Sequence, residues 1–159
     1  ILESAQILST VLRVSGVDYG YKATHANHPC TLWAGKSFSN WKWLCDLAIA
    51  LNDEYRFRYE KKIDHKSLDL IQSMPFPKIP DNGLTSFVQV MPEKYKNTNP
   101  VIAYRNYYVG EKKENWVGPK DQHPFGFSLI VLGMTDFVLG AQLEVDGKPG
   151  DPAFKLLAI

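Results

Sequence analysis

Residues 31–61, TLWAGKSFSNWKWLCDLAIALNDEYRFRYEK, decide the fold class. Trp41, Leu44, Ala48, Leu51 and Tyr55 recur at steps of three and four residues, the spacing that gathers side chains on one stripe of an α-helix. Lys42, Asp46, Asp53 and Arg56 fall on the other faces. The stretch reads as one long helix and as the spine of a core.

Working outward, Ile1, Ala5, Leu8 and Leu12 keep the same rhythm and predict a helix over residues 1–14. The chain opens on Ile1 inside that pattern with no capping residue, which predicts that the protein continues upstream. Gly16, Asp18 and Gly20 interrupt the pattern, and YKATHANHPC (21–30) is polar, aperiodic and punctuated by Pro29, so it reads as a loop. Asp64 is placed to cap a helix running to Ser73, and Pro75, Pro77 and Pro80 then force an irregular surface stretch. Asn99 followed by Pro100 is a helix start, and Gly110 is expected to end that helix. Beyond Trp116 the character changes: Phe125 to Leu143 is β-branched, aromatic and glycine-rich, and Asp146-Gly147 is a hairpin signal. The expectation is a mainly α protein, a single compact helical domain over residues 1–117 with a small C-terminal β appendage over 118–159.

Composition excludes little by itself. The 159 residues, 45% of them hydrophobic, suffice for one core. Eighteen Lys plus Arg against 17 Asp plus Glu leave a net charge of +1, so only local clustering can argue for a polyanionic partner. No apolar run approaches the roughly 20 residues of a membrane span. Two cysteines, Cys30 and Cys45, are too few for a disulfide framework and point to a reducing compartment, the cytoplasm.

Three groups of residues could carry chemistry. His25, Asn27, His28 and Cys30 offer imidazole and thiolate, the ligands of zinc, yet a structural zinc site needs four. Cys45 falls inside the long helix, and His65 and His123 are distant in sequence, so a hydrogen-bonded loop anchor is the better reading and no metal is expected. Glu3, close to the buried stripe of the first helix, is either a solvated carboxylate or a general base at a site mouth. Tyr104, Arg105, Tyr107, Tyr108, Lys112, Lys113 and Trp116 interleave rings and cations as nucleic-acid grooves do, although tyrosines at helical spacing also fill cores. Arg56, Arg58, Lys61 and Lys62 form a second basic cluster, which the dipole of a helix C-terminus also explains.

ILESAQILST (1–10), the loop at 21–30, the Trp-rich helix after it, and AYRNYY (103–108) followed by Gly110 and Lys112 resemble the pyrimidine-dimer DNA glycosylase/AP lyases of phage and bacterial type. The resemblance covers about residues 1–117. It implies a monomer that acts on double-stranded DNA without metal or organic cofactor. A free N-terminal amine attacks the anomeric carbon, displaces the base and leaves a Schiff base that undergoes β-elimination. It implies a catalytic or charge-stabilising role for Glu3, entry of the loop carrying His25, Asn27 and His28 into the duplex, and DNA contacts from Tyr104, Arg105, Tyr107, Tyr108 and Lys112. With the amine expected upstream of Ile1, the chain by itself is expected to lack the nucleophilic step. Residues from Pro119 onward have no counterpart in that family. Two other readings stay open: a non-catalytic nucleic-acid-binding module of the same fold, and a metal-dependent enzyme built on His25, His28 and Cys30.

Overall fold

A computed structural model describes residues 1–112, and of Lys112 its backbone. They form five α-helices, one 3-10 turn and one π-helical turn, with no strand among the described residues, as a mainly α chain requires. The expected β appendage, with Phe125–Leu143 and Asp146-Gly147, lies outside the described residues, as do Lys113, Trp116 and the boundary at 117/118. The chain divides into two compact units, residues 1–88 and residues 89 onward.

In the first unit, α1 (Leu2–Val14) buries the expected stripe, with Ala5, Leu8 and Leu12 fully enclosed. Its buried hydroxyls bond back along the helix, Ser9 Oγ to Ala5 O at 2.6 Å and Thr10 Oγ1 to Gln6 O at 2.8 Å, so they leave no unpaired group in the core. The helix closes with Gly16 N–H on Arg13 O (3.0 Å) and Val17 N–H on Leu12 O (2.9 Å). That closure needs one left-handed residue, which Gly16 provides at φ +84°.

The stretch 31–61 is not one helix. It is two, α2 (Pro29–Lys36) and α3 (Phe38–Arg58), broken at Ser37, whose backbone is extended (φ −151°, ψ 146°). The break is made by a segment 42 to 44 residues downstream. Asp81 accepts from Ser37 Oγ (2.9 Å), Ser39 N–H (3.2 Å) and Ser39 Oγ (2.7 Å), and Pro80 O accepts from Phe38 N–H (2.9 Å). These bonds satisfy the first orphan N–H groups of α3 in place of a side chain at its own N-cap. The Ser39 and Ser37 hydroxyls hold the Asp81 carboxyl below the usual carboxylate range. At its far end α3 stops at Arg58, because Glu60 turns left-handed (φ 49°) and Lys61 N–H closes on Arg56 O at 2.9 Å.

Aromatic rings tie this unit together. Trp41 donates its indole N–H to Leu8 O (3.4 Å), joining α3 to α1. The proline-rich stretch crosses α2 and α3, with the Phe76 ring edge-on to Phe38 and Trp41 and Phe87 against Trp33 and Trp43. Asn40, fully buried, fixes that crossing. Its Nδ2 donates to Trp33 O (2.7 Å) and Thr85 Oγ1 (2.8 Å), and its Oδ1 accepts from Thr85 N–H (2.9 Å).

The helix expected over 64–73 is shorter: α4 spans Leu68–Gln72. Asp64 does not cap it. Its carboxylate accepts from Asn52 Nδ2 (2.7 Å) and pairs with Arg56 (3.3 Å), and Ser67 takes the N-cap position.

In the second unit, α5 (Pro100–Tyr107) starts as expected, with Asn99 Oδ1 accepting from Val101 N–H at 2.9 Å and Pro100 at the first helical position. Gly110 does not end it. The chain passes into a π-helical turn, Tyr108–Lys112, with Gly110 inside, and a Cβ there would overlap the Tyr95 phenol. Tyr95 donates to Glu111 (3.1 Å), and Lys94 pairs with Glu111 at 2.7 Å, so the wider turn is fastened to the 3-10 turn Glu93–Tyr95.

Candidate functional site

Glu3 lies in the first turn of α1 with its side chain in solvent, where a carboxylate also complements the helix dipole. Its charge reaches the thiol of Cys30 at the start of α2. Burial and Glu3 both raise the Cys30 pKa, and burial drives Cys45 up to about 12; neither thiol is poised as a nucleophile.

The loop between these helices is pinned to α1. Arg13 donates from Nε to Tyr21 O (2.7 Å) and from Nη2 to Gly20 O (3.0 Å) and pairs with Asp18. Thr10 Oγ1 accepts from Thr24 N–H at 3.1 Å. Gly20 has φ +77°, and any Cβ there would overlap the Ser9 hydroxyl, so the loop approaches α1 as closely as a glycine permits. His25 sits at the tip with left-handed backbone (φ 48°) and its Nδ1 2.7 Å from Thr24 Oγ1; it and Asn27 are exposed. His28 is different. It caps α2, its Nδ1 accepting from Cys30 N–H at 3.3 Å, with Pro29 at the first helical position, so the Asn27-His28-Pro29 element is a helix start. Among the described residues no three His, Cys, Asp or Glu are grouped to hold a metal ion.

Sequence reading missed a neighbour of this site. His65 lies in the turn before α4, which Tyr21, from the loop, reaches by bonding Ser67 across 46 positions at 3.1 Å. No periodicity marks these residues, because they occupy the non-helical turn before α4.

The aromatic and basic residues belong to the second unit. Arg105 is exposed on α5 together with Ile102 and Asn106, and no ion pair claims it among the described residues. Tyr104 is half-buried. Tyr107 packs between Tyr95 (5.5 Å between ring centres) and Tyr108 (5.8 Å), so these rings already serve one another. Lys112 lies in the π-helical turn, and its side chain is outside the described residues. No described helix is long and apolar enough to cross a membrane. Comparison with family models, with curated proteins and with solved structures gives no match.

Proposed function

We propose that the chain forms the helical body of a DNA glycosylase with lyase activity, which removes a damaged pyrimidine and nicks the strand through an imine. The observation that carries this reading is the position of Glu3. It is an exposed carboxylate with no bonded partner among the described residues, and its charge reaches Cys30 at the start of α2. A carboxylate on the first helix is what the glycosylase/lyase resemblance implies.

The chemistry balances without an oxidant or a metal. A primary amine, the free amino terminus in the glycosylases resembled here, bonds to C1′ as the C1′–N bond to the base breaks, and the base leaves with the amine's proton. The sugar ring opens to the imine. Glu3 stabilises the positive charge that develops on C1′ and the iminium. Loss of a C2′ proton then expels the 3′ phosphate, and water releases the sugar fragment. The partner is double-stranded DNA, with Arg105 on the exposed face of α5 as a phosphate contact and the protein acting as a monomer.

The test is strand scission of a duplex bearing one abasic site, in chelator, by protein with its native amino terminus. Scission leaving a 3′ unsaturated aldehyde supports the lyase step, whereas salt-dependent binding with no scission selects a non-catalytic binding module. Arg105→Gln is expected to weaken binding to any duplex and to lower the slope of log K against log salt by about 1. An unchanged slope removes Arg105 from the interface.

A further inference from the structure

The segment that breaks the helix at Ser37 carries a reactive pair of its own, Asn82 followed by Gly83, both exposed. Asparagine is thermally labile, and most so before glycine, where no Cβ hinders the next backbone nitrogen as it closes on the side-chain amide. Gly83 has φ +73°, and a Cβ there would meet nothing beyond its chain neighbours, so packing does not restrain the pair. Hydrogen bonds do.

Gly83 N–H, on the nitrogen that would attack, donates to Asp81 Oδ1 at 3.1 Å. Asn82 Nδ2, which would leave, donates to Lys36 O at the end of α2 (3.4 Å), and Asn82 N–H donates to Ser37 Oγ at 2.9 Å. Asp81 Oδ1 is itself fixed by the Ser37 hydroxyl and by the hydroxyl and N–H of Ser39. The Ser39 and Ser37 hydroxyls and Gly83 N–H keep its carboxyl below the usual carboxylate range, so at neutral pH Asp81 is an anion and a weak base. Such a neighbour opposes the negative charge that Gly83 N gains on losing its proton, and it does not take that proton up.

We propose that Asn82 is a modification site, a deamidation site that Asp81 holds closed for as long as the joint between α2 and α3 is intact. Once the joint opens, Gly83 N bonds to Asn82 Cγ, the Cγ–Nδ2 bond breaks, and ammonia leaves with the proton lost by Gly83 N. Water then opens the cyclic imide at either carbonyl and leaves aspartate or isoaspartate at position 82. Either product sets a second carboxylate beside Asp81 and offers no N–H to Lys36 O, and isoaspartate also lengthens the main chain by a methylene. Reclosure is disfavoured, so the change runs one way. The site concerns the joint alone and is independent of the base-excision reading.

The full chain is incubated at mildly alkaline pH, with aspartate and isoaspartate at position 82 counted by peptide mapping and exchange of the Gly83 amide followed by NMR. The folded protein is expected to deamidate at least about tenfold more slowly than the same chain unfolded in urea, with Gly83 N–H protected to a similar degree. Folded Asp81→Ala is expected to lose most of that protection in both readouts, and Ser39→Ala, which keeps the Gly83 bond, to lose less. If Asp81→Ala does not fold, wild type below its urea midpoint takes its place, and deamidation should rise in step with Gly83 exchange. Asn82→Asp imitates one product and is expected to lower the urea midpoint. Folded wild type deamidating as fast as the unfolded chain would overturn the proposal. So would folded Asp81→Ala as slow as wild type, deamidation that does not follow Gly83 exchange, or an Asn82→Asp midpoint equal to that of wild type.

Discussion

Glu3→Gln is expected to lower base excision and strand scission by about 10²- to 10⁴-fold, the usual contribution of a positioned carboxylate. The neutral amide keeps the shape and removes the charge. Because Glu3 is exposed and has no bonded partner among the described residues, the fold should notice only the lost helix-dipole interaction. Thermal unfolding and DNA affinity therefore stay near wild type while kcat falls. A purely structural carboxylate would give the opposite pattern, a slightly lower Tm and unchanged turnover, so kcat and Tm measured on one preparation separate the two roles.

Asn40→Ala is expected to be the most damaging single polar truncation in the first unit, costing roughly 3–5 kcal/mol of the total stability of a small domain. The side chain is fully buried and makes three hydrogen bonds, to Trp33 O, Thr85 Oγ1 and Thr85 N–H. Truncation strands the Trp33 carbonyl and the Thr85 N–H and leaves a void where the buried amide stood. Thr85→Ala removes one of the three bonds and should cost less. In the double variant the two losses should fall short of their sum, since they share a bond. Urea unfolding of the four proteins checks this, and an Asn40→Ala loss below about 1 kcal/mol would mean the crossing is not held here.

The legible parts of the fold were those whose determinants are close in sequence. The stripe Ala5, Leu8 and Leu12 gives α1 directly, and Asn99-Pro100 carries both its cap and its first helical residue on adjacent positions. The break at Ser37 was hidden because its cause is remote. Asp81 and Pro80 hold the start of α3, and the apolar rhythm from Trp41 to Tyr55 runs on without marking where the helix begins. Asp64 misled for a related reason, as a residue of the right type to cap α4 whose carboxylate is claimed by Asn52 on another helix.

For the candidate site, the exposed carboxylate of Glu3 and the polar loop at 21–30 were legible as such, and the different places of the histidines were not. The loop at 21–30 reads as a hydrogen-bonded anchor, and the His28 ring capping α2 is one of the bonds that make it so. His65 gave no periodic signal because its turn is held from two distant parts of the chain, Asn52 on α3 and Tyr21 in the loop.

The most direct test of the account is borohydride trapping of the protein, with its native amino terminus, on duplex DNA carrying a pyrimidine dimer or an abasic site. Reduction of the imine to a stable amine should leave a covalent protein–DNA adduct of one-to-one mass, with Glu3→Gln forming it far more slowly. Folded protein that binds either duplex and yields no adduct would contradict the account and leave a DNA-binding module without the chemistry.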